Sequence, residues 1–298
     1  LLGLTGKGYQ ALFLQGGASL EFLMVPYNLM KVGGKAAYLD TGAWSGKALK
    51  EAKGVGETVV VASSKDKNYN YIPKNYAIPA DVDYLHITSN NTIFGTQVKD
   101  FPKTDVSLVS DMSSDIFSRQ LDFSQFDLIY AGAQKNMGPA GTTLVVVKED
   151  ILGKSGRAIP AMLDYQIHIA NESMYNTPAV YAVYVSLLNL RWLKNLGGIA
   201  AIEKINEHKA QLLYNEIDRN PLFTGTCEVE DRSPMNVCFL LKDDAHKETF
   251  DKLWKAANIS GINGHRSVGG YRASMYNALA VESVQALVDC MKELENKI

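Results

Sequence analysis

The sequence predicts an α/β protein built on a mostly parallel sheet, followed by a smaller α+β domain. Three observations carry this. Short apolar runs rich in β-branched residues recur through the first half, as strands covered on both faces require. Helical segments separate them, and such alternation is the pattern of a parallel sheet. After about residue 197 longer helices dominate around one clear strand. A chain of 298 residues can bury a large core and suits two domains, expected at 1–197 and 198–298.

The elements follow in order. Ala11–Leu14 reads as a short apolar strand. A helical pattern begins at Ser19, with Leu20, Leu23, Met24 and Tyr27 on one face. Strands are expected at Val59–Ala62, Tyr84–Ile87, Ser107–Ser110, Leu128–Ala131 and Thr143–Val147. Val180, Val183, Tyr184, Leu187 and Leu188 mark a long helix that closes near Leu196-Gly197-Gly198, where glycine suits a C-cap. The second domain is expected to hold a helix over Ile199–Ile217 and a strand at Val237–Leu241. Further helices are expected at Phe250–Ala257 and Val281–Leu294.

Composition excludes several classes of function. Apolar residues make up 46% and charged residues 21%, a globular balance. A net charge of −2 gives no electrostatic drive toward nucleic acid or an anionic membrane, so any anion binding must be local. No stretch is long and apolar enough to span a bilayer. Three widely spaced cysteines, Cys227, Cys238 and Cys290, lack metal-ligand patterning and suit free thiols in a reducing, cytoplasmic setting. Three Asn-x-Ser/Thr triplets, beginning at Asn90, Asn171 and Asn258, read as chance without a secretory context. The chain opens at Leu1-Leu2-Gly3 without a signal peptide and enters a core strand by Ala11, so its start is expected to be missing.

Lys135 is the most informative residue. It stands in Tyr130-Ala131-Gly132-Ala133-Gln134-Lys135-Asn136, a small-residue loop between two apolar strands. Partial desolvation there lowers a lysine pKa. A lysine neutral near pH 7 is a nucleophile, typically used to form a Schiff base with a carbonyl compound or with pyridoxal 5′-phosphate (PLP). The plain alternative is a surface lysine in a tight turn.

Four other features fall at strand ends, where open α/β sheets bind ligands. Leu14-Gln15-Gly16-Gly17-Ala18-Ser19 is a strand, a glycine turn and a helix start, suited to a phosphate, with Ser19 adding a hydroxyl or capping the helix. Asp111, closing a strand in Ser110-Asp111-Met112-Ser113-Ser114, can pair with a ligand cation such as a pyridinium, or cap a turn. Trp44, after Gly42-Ala43, can stack on a planar ring, or be core. The Gly42–Lys47 segment has the wrong spacing for a P-loop. Last, Gly264-His265-Arg266-Ser267-Val268-Gly269-Gly270-Tyr271-Arg272 places two arginines six positions apart, able to hold two anionic groups, or to edge a solvated hairpin.

Their order along the chain is that of a fold-type I PLP enzyme: glycine turn, tryptophan, strand-end aspartate, lysine, late arginine. The segments Phe13–Ser19, Ser89-Asn90-Asn91-Thr92-Ile93, Asp111–Ser114, Ala131–Asn136, Tyr175-Asn176-Thr177-Pro178 and Gly264–Ser274 are similar to the phosphoserine aminotransferase branch of the class V aminotransferases. The similarity runs over essentially the whole chain. It implies a fold-type I PLP-transferase fold, a homodimer with shared sites, and amino transfer between L-glutamate and 3-phosphohydroxypyruvate in serine biosynthesis.

The resemblance also implies a role for each residue. Lys135 would carry the internal aldimine and shuttle the proton, and Asp111 would keep the pyridinium protonated. Trp44 would stack on the ring and Thr92 would bond its O3′. Ala18 and Ser19, helped by Gln134, would bind the cofactor phosphate, with Gly17 and Ser113 in the same cofactor-binding set. Asn176 and Thr177 would reach the cofactor phosphate of the neighbouring subunit. Arg272 would bind the substrate α-carboxylate, and His265 and Arg266 the substrate phosphate. No metal is implied.

There are departures. The family's N-terminal segment, with a Ser-His-Arg that contacts substrate, has no counterpart here. Ala18-Ser19 stands where some relatives have Gly-Arg, and Pro178-Ala179 where Pro-Pro is common. The alternatives are another class V activity, such as alanine–glyoxylate transamination or cysteine desulfuration, and a cofactor-binding dimer that does not turn over.

Overall fold

A computed structural model describes residues 1–298. Its central feature is a seven-stranded sheet made from β1 (Tyr9–Leu14), β2 (Lys35–Asp40), β3 (Glu57–Ser63), β4 (Tyr84–Thr88), β7 (Ser107–Asp111), β8 (Leu128–Gly132) and β9 (Thr143–Lys148). The strand order is β1-β9-β8-β7-β4-β2-β3. Every pairing from β3 to β8 is parallel, and β9 pairs antiparallel with both β8 and β1. The expected mostly parallel sheet is therefore present, and β9 alone runs against the rest. A small hairpin, β5 (Asn90–Asn91) and β6 (Thr96–Gln97), hangs from the end of β4.

Alternate residues of the strands point to opposite faces and fill two cores. Ala36 and Tyr38 of β2 join Leu128 and Tyr130 of β8 on the face covered by α1 (Gly17–Leu29), α2 (Ala43–Lys53) and α3 (Tyr165–Ala170). Ala37 and Leu39 join Ile129 and Ala131 on the other, against the end of α4 (Val180–Asn195) and the start of α5 (Gly198–Arg219). A second, antiparallel sheet of order β10-β11-β12 comprises Phe223–Gly225, Asn236–Leu241 and Tyr271–Ser274. It has its own core with α5, α6 (Lys247–Ala256) and α7 (Val281–Lys297). Helix α5 belongs to both bodies: Ile199 and Ile202 pack in the first, Leu213 and Ile217 in the second. No helix is long and apolar enough to cross a membrane.

Three local differences from the sequence expectation have physical causes. Strand β2 has no β-branched residue in Lys-Ala-Ala-Tyr-Leu-Asp, yet four of its six residues are buried, so sheet burial overrides weak strand propensity. Strand β12 follows directly on Gly269 and Gly270, both at positive φ, and those glycines mask it as a turn. Helix α1 begins at Gly17 with Gly16 as its N-cap in the left-handed region, so Ser19 lies inside the first turn and does not cap it. A Cβ at Gly16 would approach Leu20 Cβ to 2.6 Å, so glycine is needed there on both counts. The glycines after α4 behave as expected: Gly197 stands past its end at φ 112°.

Candidate active site

The parallel strands all end on one edge, and the loops leaving them carry the chemistry. Lys135 lies three residues beyond β8, Asp111 closes β7, Thr92 follows the β4–β5 corner, and Trp44 opens α2 after β2. These four sequence-predicted residues meet. Lys135 Nζ donates to Thr92 Oγ1 at 2.9 Å and stands 5.4 Å from the centroid of the Trp44 ring. Burial pushes the Lys135 pKa down; the Asp111 carboxylate opposes this, while the Arg272 guanidinium adds to it. Lys135 does stand in a turn, but half-buried among these residues and not on the open surface.

Asp111 is buried, 5% exposed. Its Oδ1 accepts from Ser113 N at 2.9 Å and from Ser113 Oγ at 2.6 Å, and Ser113 Oγ in turn accepts from Gly132 N at 3.1 Å. The turn-capping alternative for Asp111 is present through Oδ1, while Oδ2 has no hydrogen bond. Burial raises the carboxyl pKa, and the Lys135 charge and the Ser113 bonds pull it back down. For Trp44 the core alternative is present. It packs on the α1–α2 core, with its ring centroid 6.5 Å from that of Phe22, while Nε1 is buried without a partner.

Arg272 reaches this group from the second sheet, close enough to act on Lys135. Its Nε is buried with no hydrogen bond, and its guanidinium forms no ion pair. A cation held this way favours an anionic ligand. The other predicted residues lie apart. Gly17 and Ala18 are half-buried at the start of α1, and Ser19 and Gln134 are exposed. Gln15 Nε2 donates to Thr177 O at 2.6 Å, which sets the Asn176-Thr177 segment beside the glycine turn. His265 Nδ1 is 2.7 Å from Ser267 Oγ in the loop before β12, and Arg266 is exposed; neither contacts Lys135, Asp111 or Thr92.

Several residues went unassigned in the sequence. Beneath Asp111 lies a buried layer in which His86 Nε2 is 2.8 Å from Tyr130 Oη, and Tyr165 Oη donates to Glu21 Oε2 at 2.5 Å. Burial holds His86 neutral, with a pKa lowered to about 3, and pushes the Glu21 carboxyl up to about 8. The available signal was polar residues inside apolar periodic runs, which marks burial without specifying a partner. Asn90 and Asn236, 146 positions apart, also bond each other at the floor of the site. No group of three or more His, Cys, Asp or Glu is placed to hold a metal.

An open α/β sheet with a desolvated lysine, a strand-end aspartate and an unpaired arginine at its ligand edge is the arrangement of an aminotransferase. The chain belongs to the class V aminotransferases, whose family profile, described as aminotransferase class-V, matches residues 5–287. Phosphoserine aminotransferase of Flavobacterium psychrophilum is 74% identical over 298 residues, which is 100% of this chain and 84% of that protein. The phosphoserine aminotransferase structure from Bacillus circulans subsp. alkalophilus superposes with TM-score 0.95 at 45% identity, covering 99% of this chain and 83% of that one. A PLP-bound phosphoserine aminotransferase from Trichomonas vaginalis gives TM-score 0.92 at 35% identity, over 98% and 84% of the two chains. Within class V, the chain is a member of the phosphoserine aminotransferase family.

Proposed function

We propose that this chain transfers the amino group of L-glutamate to 3-phosphohydroxypyruvate, giving O-phospho-L-serine and 2-oxoglutarate, with PLP as cofactor. The observation that carries the reading is the pairing of a desolvated Lys135 amine with a buried Asp111 whose Oδ2 is open. That donor set fits PLP. An open carboxylate oxygen suits a pyridinium N–H, and the Trp44 face, beside Lys135, suits a planar ring. When bound, the cofactor supplies an electron sink for the pair left as a substrate Cα–H breaks.

The rest is work for the protein. Asp111 Oδ2 would hold the ring N–H, with Ser113 fixing its other oxygen. Thr92 orients the Lys135 amine, whose Nζ would take the proton from substrate Cα and hold it for return to the cofactor side. The N–H groups of Gly17, Ala18 and Ser19 at the start of α1, with Gln134, would hold the phosphate end of the cofactor. Arg272 takes the substrate α-carboxylate as a bidentate fork. His265, half-buried, and Arg266, exposed on the same loop, take the substrate phosphate.

A homodimer completes the site, with Asn176 and Thr177 reaching the partner's cofactor phosphate. Its support is an apolar strip on and before α4, where Met174, Val180, Tyr181 and Tyr184 are each more than half exposed. The division into a PLP-binding body at 1–197 and a smaller one at 198–298, hinged on α5, and a cytoplasmic location complete the reading. Three free thiols agree with that location. Desulfuration is disfavoured, because burial pushes the Cys227 thiol up to about 11 and that of Cys238 to about 12, far from a nucleophilic thiolate.

The test is formation of 2-oxoglutarate by the purified chain supplied with PLP, glutamate and 3-phosphohydroxypyruvate. Turnover is expected. Transfer to glyoxylate without transfer to the phosphorylated acceptor would point to another class V activity, and PLP binding without any transfer to an inactive dimer.

A further inference from the structure

Three pieces of the site come from distant parts of the chain, and one amide pair joins them. Asn90 is buried, two residues before Thr92. Its Nδ2 donates to Asn236 Oδ1 at 2.8 Å and to Ser114 Oγ at 2.9 Å, and its Oδ1 accepts from Ser233 Oγ at 2.5 Å. Ser114, three residues after Asp111, donates back to Asn90 O at 2.9 Å. Asn236 opens β11 opposite Ser274 and is 0% exposed. Its Nδ2 donates to Ser274 Oγ at 3.1 Å and to Tyr276 Oη at 3.3 Å. The Thr92 segment, the Asp111 turn and the Arg272 strand are therefore tied at a single point. Breaking a fully satisfied buried amide pair strands its partners without bonds, so this joint has one favoured geometry.

We propose that the Asn90–Asn236 pair is a positioning element that sets the separation of Lys135 from Arg272, and with it the placement of substrate Cα against the amine. This rests on Arg272 as the α-carboxylate ligand. The pair touches no reacting atom, so its effect is on alignment, where an error near 1 Å costs about a hundredfold in rate.

The test compares wild-type protein with Asn236→Leu and Asn90→Leu, each checked by circular dichroism. In the PLP-loaded enzyme, kcat is expected to fall ten- to a hundredfold, with KM for glutamate changed less than about threefold. A second readout uses cofactor-free protein: the pH dependence of Lys135 reductive methylation by formaldehyde and borohydride, followed by mass spectrometry. The charged groups acting on Lys135 are Asp111, Asp115 and Arg272. With Arg272 set further from the amine, still able to reach the carboxylate, the midpoint is expected to rise, since a like charge recedes while both carboxylates stay.

Should Asn236→Leu fail to fold, the double variant Ser274→Ala/Tyr276→Phe removes both acceptors of Asn236 Nδ2 with little change in volume, and the same two results are expected of it. An unmoved midpoint in a folded variant overturns the proposal, whatever happens to kcat. If the wild-type enzyme shows no amino transfer, the functional reading fails and the methylation midpoint alone decides this inference.

Discussion

Glu21→Gln removes a fully buried carboxyl from the layer beneath Asp111. In α1, Glu21 is 0% exposed; Oε2 accepts from Tyr165 Oη and Oε1 has no partner. Burial, with a smaller push from the Asp111 charge and an opposing pull from Tyr165, raises the pKa from 4.5 to about 8. Between those values the native carboxyl keeps a proton that the unfolded chain has released. Glu21 therefore adds stability that is complete below about pH 4.5 and is lost as pH rises through about 8. At about 1.36 kcal/mol per pH unit, the whole window amounts to roughly 5 kcal/mol as an upper limit. Glutamine keeps an oxygen for Tyr165 and does not titrate. The assay is urea unfolding of both proteins near pH 5 and pH 8.5. Wild type is expected to lose roughly 3–5 kcal/mol more than the variant across that interval. Parallel pH profiles would refute the assignment of a buried, protonated carboxyl.

Other expectations concern the site and its support. Lys135→Ala should lower turnover by at least about a thousandfold, in line with losing both a nucleophile and a general base, while circular dichroism and the melting temperature hold. Arg272→Lys keeps the charge and loses the fork, so KM for glutamate is expected to rise roughly tenfold or more with a smaller change in kcat. Lys209 is fully buried on α5, and its Nζ donates to the carbonyls of Met275, Tyr276 and Leu279 at 3.1, 2.9 and 3.2 Å. Lys209→Met strands those three acceptors and should cost about 3 kcal/mol in urea unfolding; an unchanged midpoint would show that the carbonyls are satisfied otherwise.

The legible part of this fold was the part with strong local pattern. Runs such as Thr143–Lys148 declare a buried strand through β-branched residues alone, and α7 declares itself through periodicity. Strand β2 does not, because what makes it a strand is its place between β3 and β4. At the site, Lys135 and Asp111 were legible as candidates, yet neither could be decided locally. The lysine's lowered pKa depends on burial by segments distant in sequence and on the Arg272 charge, against the opposing pull of Asp111. Ser19 was misjudged as a possible cap because its hydroxyl drew notice, whereas the helix start is set by the left-handed Gly16. The Asn90–Asn236 joint lay out of reach, since two asparagines in separate segments carry no sign of each other.

The most direct measurement is the site of cofactor attachment. The purified chain is incubated with PLP, reduced with borohydride, digested, and analysed by mass spectrometry. A phosphopyridoxyl mass on the peptide carrying Lys135, lost in Lys135→Ala, is the expected result. A label spread over exposed lysines, or absent from Lys135, would contradict the assignment of this residue as the cofactor-bearing amine.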